Sequence, residues 1–488
     1  MSTTIKMWLS DNYYGGYMIF KYRNLTLILQ MFILSACTTI SPRTEFQEVS
    51  NEISERIGKQ IYWKNNTQED DEVTKQVRDI LAQQISVEQA VQIALLTNPN
   101  IQAIYEELGI AQADLVQAGL LNNPIFSASV LYPSGGGSSD LDFDISWSFL
   151  SLFTMPLNKA LAKTEAYIAF NKVIAAVLDL SDNVRSAFYR VQANSQAAEM
   201  LQQVVMATDA SYEAAKRLHH AGNITDLALD QQRLLYEEAK LMLIDSQFSI
   251  NQSREQLNKL MGLWGNAIQW EISLRLPDMN EETFEILNIE QRVIDKSIDL
   301  ELYRLQITKI AQRLGLVDIT SLIPDIDIGF GWERDDGEYQ RGPSIGIQMP
   351  IFDTGQARKA SLQGRLNQAQ RQYISTAIAL RSSARLTAQT LLHHYARVNH
   401  FKQTLMPLRQ QIVNGAQLEY NAMQIGVFKL LNAQKQQIDT GRQYISSLRN
   451  YWLARVKMDI LLSGRMSSSS ELNVSMTSAT TSNENGEH

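Results

Sequence analysis

An apolar row with a helical period runs through residues 362–405 and constrains the fold more than any other feature of the sequence. Its members span 43 residues at about 3.6 residues per step, which is the period of an α-helix. A second helix, predicted over about residues 157–220, would be about 95 Å long, which is longer than a single globular domain encloses. Helices of this length therefore predict a coiled coil, a helical bundle or the wall of a tube. The members of the row are Leu362, Leu366, Ala369, Tyr373, Ala377, Leu380, Ala384, Ala388, Leu391, Tyr395, Val398, Phe401 and Leu405.

A second long helix is predicted in the first half of the chain. The sequence has 488 residues but only 10 prolines, and none of them lies within residues 157–276. Because proline interrupts helices, its absence favours long ones, and we predict a helix over residues 157–220. This helix carries its own apolar row, formed by Ile174, Val177, Val184, Phe188, Val191, Ala198, Leu201 and Val205.

Three short segments alternate between apolar and polar residues, as half-buried β-strands do, and a fourth, residues 125–132, does so more weakly. The clearest runs from Asp140 to Phe149, where Asp140, Asp142 and Asp144 lie on the polar face. The others are residues 125–132, 325–332 and 344–349, and the turn-rich segments 133–139 and 333–342 are predicted loops. Segments of about ten residues fit transmembrane β-strands with an apolar lipid face and a polar lumen face. Alternation alone leaves a soluble β-sandwich open.

The strands and helices recur with an offset of about 200 residues, which indicates a tandem duplication. Residues 123–130 match 323–330, residues 155–157 match 349–351, and residues 257–262 match 458–464. Each half contains a strand pair, a long helix, a turn and another long helix. We divide the chain into a leader (1–36), an N-terminal periplasmic segment (37–84), two repeats and a disordered tail (465–488). The first repeat comprises residues 85–264, with strands at about 124–150 and a hairpin tip at about 218–228. The second comprises residues 265–464, with strands at about 324–351 and a hairpin tip at about 420–434.

The N-terminal region resembles a bacterial lipoprotein signal peptide. Lys21 and Arg23 precede the apolar run 25–34, and the following Ser-Ala-Cys resembles a lipobox that ends at Cys37. Cleavage before Cys37 would leave that residue as the lipidated N-terminus, carrying acyl chains such as palmitate. The alternative is a buried free cysteine. Residues 1–17 lack signal-peptide character, so we expect translation to start at Met18.

Geometry then predicts an oligomer. An open sheet edge cannot lie in lipid, and bacterial barrels have at least eight strands. A chain that supplies four strands must therefore assemble with copies of itself, as a dimer with eight strands or a trimer with twelve. The predicted fold class is mainly α with a membrane β-barrel, in an oligomeric lipoprotein whose barrel stands on a long helical barrel.

Several segments resemble TolC-like outer membrane efflux proteins. They are residues 90–99, 117–124, 221–228, 349–360 and 430–434, and the resemblance covers about residues 85–464. It implies a homotrimer in which a 12-stranded barrel in the outer membrane continues into a 12-helix periplasmic tunnel. It also implies an exit duct that conducts substrate passively from an inner-membrane pump and a periplasmic adaptor protein. The expected location is the outer membrane, with a lipid anchor and a long periplasmic portion.

The resemblance makes the hairpin turns the periplasmic tips, where the tunnel is constricted and the adaptor binds. In the first tip it assigns Gly222 and Asp226, and in the second Gly426, Lys429 and Asn432. Asn432 replaces a common acid, Lys429 replaces an acid of some members, and Gly426 lies three places later than usual. Lys429 either faces the pore, weakening its preference for cations, or is a solvated outward charge.

Metal binding has weak support in the sequence. His219 and His220 are adjacent at the first tip, and His393 and His394 are adjacent on a later helix. Neighbouring helical residues point in different directions, so such pairs rarely chelate one ion. Asp140, Asp142 and Asp144 are expected to line the lumen rather than to form a dedicated cation site. The junction 150–159 resembles the branch associated with copper and other heavy-metal resistance.

Other function classes are less consistent with the sequence. No nucleophile elbow, P-loop, dinucleotide fingerprint or zinc-binding helix motif is present, so neither an enzyme nor a cofactor is predicted. The net charge of −8 disfavours nucleic acid as a partner. Two alternatives remain, a periplasmic coiled-coil lipoprotein without a pore and a duct for type I protein secretion. The sequence does not separate drugs, metal ions and proteins as cargo.

Overall fold

The computed structural model describes residues 43–65, 67–132, 139–279, 288–322, 325–335, 338–348 and 351–466. The predictions for the leader, for Cys37 and for residues 467–488 lie outside these ranges. Everything below concerns the unit that begins at Glu45.

The N-terminal segment forms helices α1 (Arg43–Ile57) and α2 (Gln68–Leu81), then strand β1 (Gln84–Ile85) and helices α3 (Val87–Thr97) and α4 (Pro99–Gln117). Ser86 begins α3 with a capping box, in which its hydroxyl and the Gln89 side chain each bind the other residue's backbone N–H. Asn98 caps α4 through its side-chain oxygen, and Pro99 occupies the first helical position. These caps fix the corner between α3 and α4.

Strands β2 (Ile125–Leu131), β3 (Asp140–Ser148), β5 (Asp325–Asp335) and β6 (Glu338–Gln348) form one antiparallel sheet in the order β2-β3-β5-β6. Strand β4 (Glu271–Ile272) pairs with β1 in parallel and apart from this sheet. The predicted loop over residues 333–342 is wrong, because both strands extend into it and Arg334 pairs with Tyr339. The Arg334 guanidinium lies 5.6 Å from the centre of the Tyr339 ring, which supports the pairing of these polar positions.

Helix α5 (Leu150–His220) has 71 residues and is about 107 Å long. The predicted start at residue 157 is wrong, because the helix begins directly after β3 and contains Pro156. Proline has no N–H, so the backbone bond from position 156 to the Leu152 carbonyl is missing. The loss of one bond in so long a helix is outweighed by the packing of α5 against its neighbours. A tight turn joins α5 to α6 (Asp226–Met261).

The chain then forms a 3-10 turn (Gly265–Ile268) and β4, followed by α7 (Ile289–Lys296) and α8 (Ile298–Leu322). After β6 come α9 (Gln356–His400), a π-helical segment (Phe401–Leu405), α10 (Met406–Asn421) and α11 (Val427–Leu462). All members of the predicted row 362–405 are buried or half-buried, so the row is a packing face as expected. The row was predicted to lie on one regular α-helix, but a π-helical segment interrupts that helix just before Pro407.

The helices pack side by side in a defined order. Near the sheet the order is α4-α5-α8-α9, and toward the hairpin turns it is α6-α5-α11, with α9 and α10 beyond α11. Their shared core contains Val177, Phe188, Leu380, Leu391 and Tyr451. In each region α5 therefore has a helix on both sides. The helices at the ends of the two side-by-side layers are α4, α6, α9 and α10.

No helix in the described part of the chain is both long enough and apolar enough to cross a membrane.

The end of α11 is tied to both halves of the chain by Arg465. Its guanidinium binds both carboxylate oxygens of Asp179 on α5, at 2.9 and 2.8 Å, and also binds Asp299 on α8. The Met466 amide donates to the second oxygen of Asp299 at 3.0 Å. The predicted disordered tail therefore begins too early, because Arg465 and Met466 are held in place.

Candidate functional site

The four-stranded sheet has one apolar and one polar face, and the strand register aligns the apolar residues of all four strands. Phe126 pairs with Ile145, which pairs with Phe330, and Trp147 pairs with Ile328 on the same face. Large apolar side chains on this face are exposed in the single chain, among them Phe126, Phe143, Ile145, Ile328, Phe330, Trp332, Ile345 and Ile347. An exposed apolar surface of this extent is typical of contact with lipid or another protein.

The three acids selected from the sequence lie on the opposite face of the sheet. Asp144 stands between Ser127 and Gly331, and Asp142 is opposite Glu333. Asp140 and Asp327 share this polar face, the latter through its pairing with Ser148. Sequence analysis missed Glu333, because it was assigned to a loop. Adjacent carboxylates without a neighbouring cation repel each other and attract mobile cations.

Glycine keeps this polar face open next to Asp144. A Cβ atom added to Gly329 would overlap the Ser344 hydroxyl and would lie 3.2 Å from Asp144 Oδ2. At Gly331 the same addition would lie 3.8 Å from Asp144 Oδ2. Larger side chains at position 329 would thus compete with the acids for space.

The first hairpin turn is closed by backbone bonds and by one polar side-chain contact. Gly222 adopts φ +74°, and the amide of Asn223 donates to the Leu218 carbonyl at 2.8 Å, as in a Schellman motif. His219 Nε2 lies 2.6 Å from Asp226 Oδ1, so the last turn of α5 contacts the first residue of α6. Asp226 is at a helix N-terminus, where a carboxylate is favourable.

In the second hairpin turn, a residue other than glycine occupies the position with positive φ. Met423 adopts φ +58°, the conformation that Gly222 has in the first turn, and the Gln424 amide donates to the Glu419 carbonyl at 2.9 Å. Gly426 has φ −76° and precedes α11 as its N-cap residue. The later glycine noted in the sequence is therefore not the counterpart of Gly222.

Gly426 corresponds instead to Thr225, which precedes α6 and caps it with its hydroxyl. Lys429 and Asn432 follow in the first two turns of α11, and both are exposed. The Asn432 side-chain oxygen accepts a bond from Gln436 at 3.4 Å. The single chain brings Lys429 and Asn432 to one side of the helix, three positions apart.

The paired histidines do not converge on a common point. The His219 and His220 rings are 6.2 Å apart with planes inclined by 66°, and His219 is engaged by Asp226. The His393 and His394 rings are 5.4 Å apart and inclined by 62°. Burial lowers the pKa of His394, and the positive charges of His393 and Arg397 lower it further. Within the described residues, no three His, Cys, Asp or Glu side chains are grouped as metal ligands.

Comparison with known proteins agrees with this arrangement. Residues 90–263 match the family described as Outer membrane efflux protein. The chain is similar to the cobalt-zinc-cadmium resistance protein CzcC of Cupriavidus metallidurans, with 23% identity over 389 residues, 78% of this chain and 90% of that protein.

Solved structures share the fold. The Campylobacter jejuni CmeC outer membrane channel has a TM-score of 0.68 at 15% identity, covering 78% of this chain and 86% of that one. The Neisseria gonorrhoeae MtrE outer membrane channel has a TM-score of 0.65 at 15% identity, covering 78% and 89%. The two-faced sheet and the long hairpins thus belong to a chain that shares the fold of these outer membrane channels and matches the outer membrane efflux protein family over residues 90–263.

Proposed function

We propose that three copies of this chain form the exit duct of a tripartite efflux system. The observation that carries the proposal is the four-stranded sheet, which has one apolar face, one polar face and two free edges. Free edges cannot lie in lipid, and pairing β2 of one copy with β6 of the next would leave none. Three copies would then give a 12-stranded barrel, with the apolar face toward lipid and the polar face toward the lumen.

Below the barrel, the long helices of three copies would form a 12-helix periplasmic tunnel. We assign residues 85–264 and 265–464 to the two duct repeats and residues 37–84 to a periplasmic segment. Residues 1–36 would be removed, and acyl chains on Cys37 would anchor the N-terminus in the outer membrane. Energy for transport would come from an inner-membrane pump that is linked to the duct by a periplasmic adaptor protein.

The hairpin turns would be the periplasmic end of the duct, where the adaptor docks and the tunnel narrows. Gly222 and Asp226 would belong to the first turn and Gly426, Lys429 and Asn432 to the second. Exposure of Lys429 and Asn432 on one side of α11 supports a lining role in the trimer. A ring of three lysines in place of acids would then weaken the cation preference of the constriction.

The barrel lumen would have the opposite electrostatic character. Asp140, Asp142, Asp144, Asp327 and Glu333 share the polar face, so three copies would bring fifteen carboxylates to one lumen. Such a field attracts cations toward the exit. The similarity to a cobalt-zinc-cadmium resistance protein supports divalent metal ions as the cargo.

Electron microscopy of the detergent-extracted protein tests the duct. We expect a hollow tube with threefold symmetry, about 100 Å of helical tunnel and a barrel whose apolar band is about 25 Å tall. Rods without a lumen, or monomers, would contradict the proposal and favour a coiled-coil lipoprotein.

Growth of the gene deletion strain tests the cargo. We expect lower tolerance of cobalt, zinc and cadmium and unchanged tolerance of organic antibiotics, with recovery when the gene is restored. Loss of antibiotic tolerance with normal metal tolerance would assign drugs as cargo. Loss of a secreted protein alone would favour type I secretion.

A further inference from the structure

The two outer helices next to the sheet have opposite charge. Helix α9 contains seven Lys and Arg residues and no acid, whereas α4 contains three acids and no Lys or Arg. In α9, the side chains of Arg365 and Arg371 make no hydrogen bond or ion pair with any described residue. In α4, the same holds for the side chains of Glu107 and Asp114. Their unpaired charges lie on opposite flanks of the single chain, because α5 and α8 separate the two helices.

Chain connectivity places these helices at the two free edges of the sheet. Helix α4 leads into edge strand β2 through residues 118–124, and edge strand β6 leads into α9 through residues 349–355. Both connections have seven residues. If β2 of one copy pairs with β6 of the next, the end of α4 therefore comes beside the start of α9 at a similar depth.

The exposed faces of the two helices match at that depth. Ile110 lies seven residues before the end of α4, about 11 Å from it, and is 61% exposed. Gly364 lies eight residues after the start of α9, about 12 Å from it, and a Cβ atom added there would meet no atom within 4 Å. The Ile110 side chain of one copy is thus exposed at the level where α9 of the next copy has a glycine, which leaves room for it.

On α4 the acids lie on both sides of this level, whereas on α9 Arg371 lies beyond it, seven positions after Gly364 and on the same face. Glu107 and Asp114 share one face of α4 with Ile110, because they are three and four positions away from it. Helical side chains lean toward the N-terminus of their own helix, and α4 and α9 run in opposite directions relative to the sheet. The side chains of Glu107 and Arg371 therefore lean toward each other along the axis.

We propose that Ile110 of one copy packs on Gly364 of the next copy, with a Glu107–Arg371 ion pair beside this contact. This seam rests on the proposed function, since it presumes a ring of copies. The contact requires the α4 flank of one copy to meet the α9 flank of the next, and it sets their relative position along the helix axis. All copies therefore join head to tail in one register. Pairing α4 with α4, or α9 with α9, would bring charges of the same sign together, which excludes a head-to-head arrangement of copies.

Disulfide trapping tests the seam in the full-length protein in membranes. The native sequence has a single cysteine, Cys37, so an Ile110→Cys, Gly364→Cys variant adds one defined pair. We expect oxidation to give covalent dimers and trimers on denaturing gels, which reductant converts to monomers. The single variants control for bonds to Cys37. An Ile110→Cys, Ile378→Cys variant is the matched control, because Ile378 is also exposed but lies about 21 Å further along α9.

Charge reversal tests the ion pair separately. Glu107→Arg and Arg371→Glu should each lower the temperature at which the detergent-resistant trimer dissociates, and the double variant should recover most of the loss. Reversal of Glu301 and Arg304, which pair within one chain, should not change it.

The outcomes separate the seam from the duct. Trimers that form normally but show no more Ile110–Gly364 than Ile110–Ile378 cross-linking would overturn the seam and leave the duct standing. Failure of the double charge reversal to recover stability would overturn the Glu107–Arg371 ion pair. Absence of trimers in the wild-type protein would overturn the duct and the seam together.

Discussion

Replacing Arg465 by methionine should destabilise the helical part of the protein. The guanidinium contacts Asp179 on α5 and Asp299 on α8, and all three side chains are mostly buried, with 22%, 29% and 12% exposed. Removing one partner of a buried ion pair costs about 3–5 kcal/mol, because a charge is left without compensation. Partial exposure reduces this, so we expect about 2–3 kcal/mol for Arg465→Met.

The loss should depend on pH in a defined direction. Burial raises the pKa of Asp299, and Arg465 opposes that rise. Burial also opposes the charge of Arg465, but bonds and attraction from Asp179 and Asp299 outweigh it and raise the pKa of Arg465. Without Arg465 the pKa of Asp299 should rise further. A carboxyl whose pKa is higher in the folded state adds stability at low pH and loses it as pH rises through that pKa. The penalty should therefore be largest near neutrality and shrink on acidification.

Thermal unfolding followed by circular dichroism in detergent measures this. At about pH 7.5 we expect the midpoint of Arg465→Met to fall by about 2–3 °C, and less at about pH 4.5. Adding Asp299→Asn should recover part of the loss, since it removes one uncompensated charge. Arg275→Met is the control, because Arg275 forms an exposed pair with Glu199. An unchanged midpoint at neutral pH, or a penalty that grows on acidification, would refute this reasoning.

Four further predictions concern single positions. Met423→Gly should stabilise its turn by about 1 kcal/mol and Gly222→Ala should destabilise its own by a similar amount, because both positions have positive φ; amide exchange at each turn checks this. Gly329→Leu should lower single-channel conductance, since its side chain would project toward Asp144; a wild-type conductance would contradict it. Lys429→Asp should increase cation preference in single-channel recordings, and an unchanged preference would place Lys429 outside the pore. Cys37→Ala should reduce the yield of outer-membrane trimers more than the conductance of those that insert, and a normal yield would remove the lipid from assembly.

Local periodicity predicted the elements that depend on one repeating environment. The apolar row from Leu362 to Leu405 marked the packing face of α9, and the alternation from Asp140 onward marked β3 and its two faces. Both patterns arise because a helix or strand returns to the same surroundings at a fixed period. The ends of these elements were less accurate, as the start of α5 at Leu150 and the extension of β5 to Asp335 demonstrate.

The sequence did not predict features that depend on a single residue rather than on a repeating pattern. Met423 takes a backbone conformation that glycine usually supplies, so composition pointed to Gly426 instead. The π-helical segment after His400 leaves the apolar row intact, so that row gave no sign of it. The contact between His219 and Asp226 depends on the exact closure of the turn between them.

The sequence by itself determined the kind of elements, their duplication and the two faces of the strands, because each is repeated many times along the chain. Tertiary structure alone decided how the two halves are joined. Arg465 meets Asp179 across 286 residues and Asp299 across 166, and β1 pairs with β4 across the whole first hairpin. Such contacts are made once, between segments that nothing local relates. They exist because packing of the long helices brings those segments together, so they become visible only when the chain is folded.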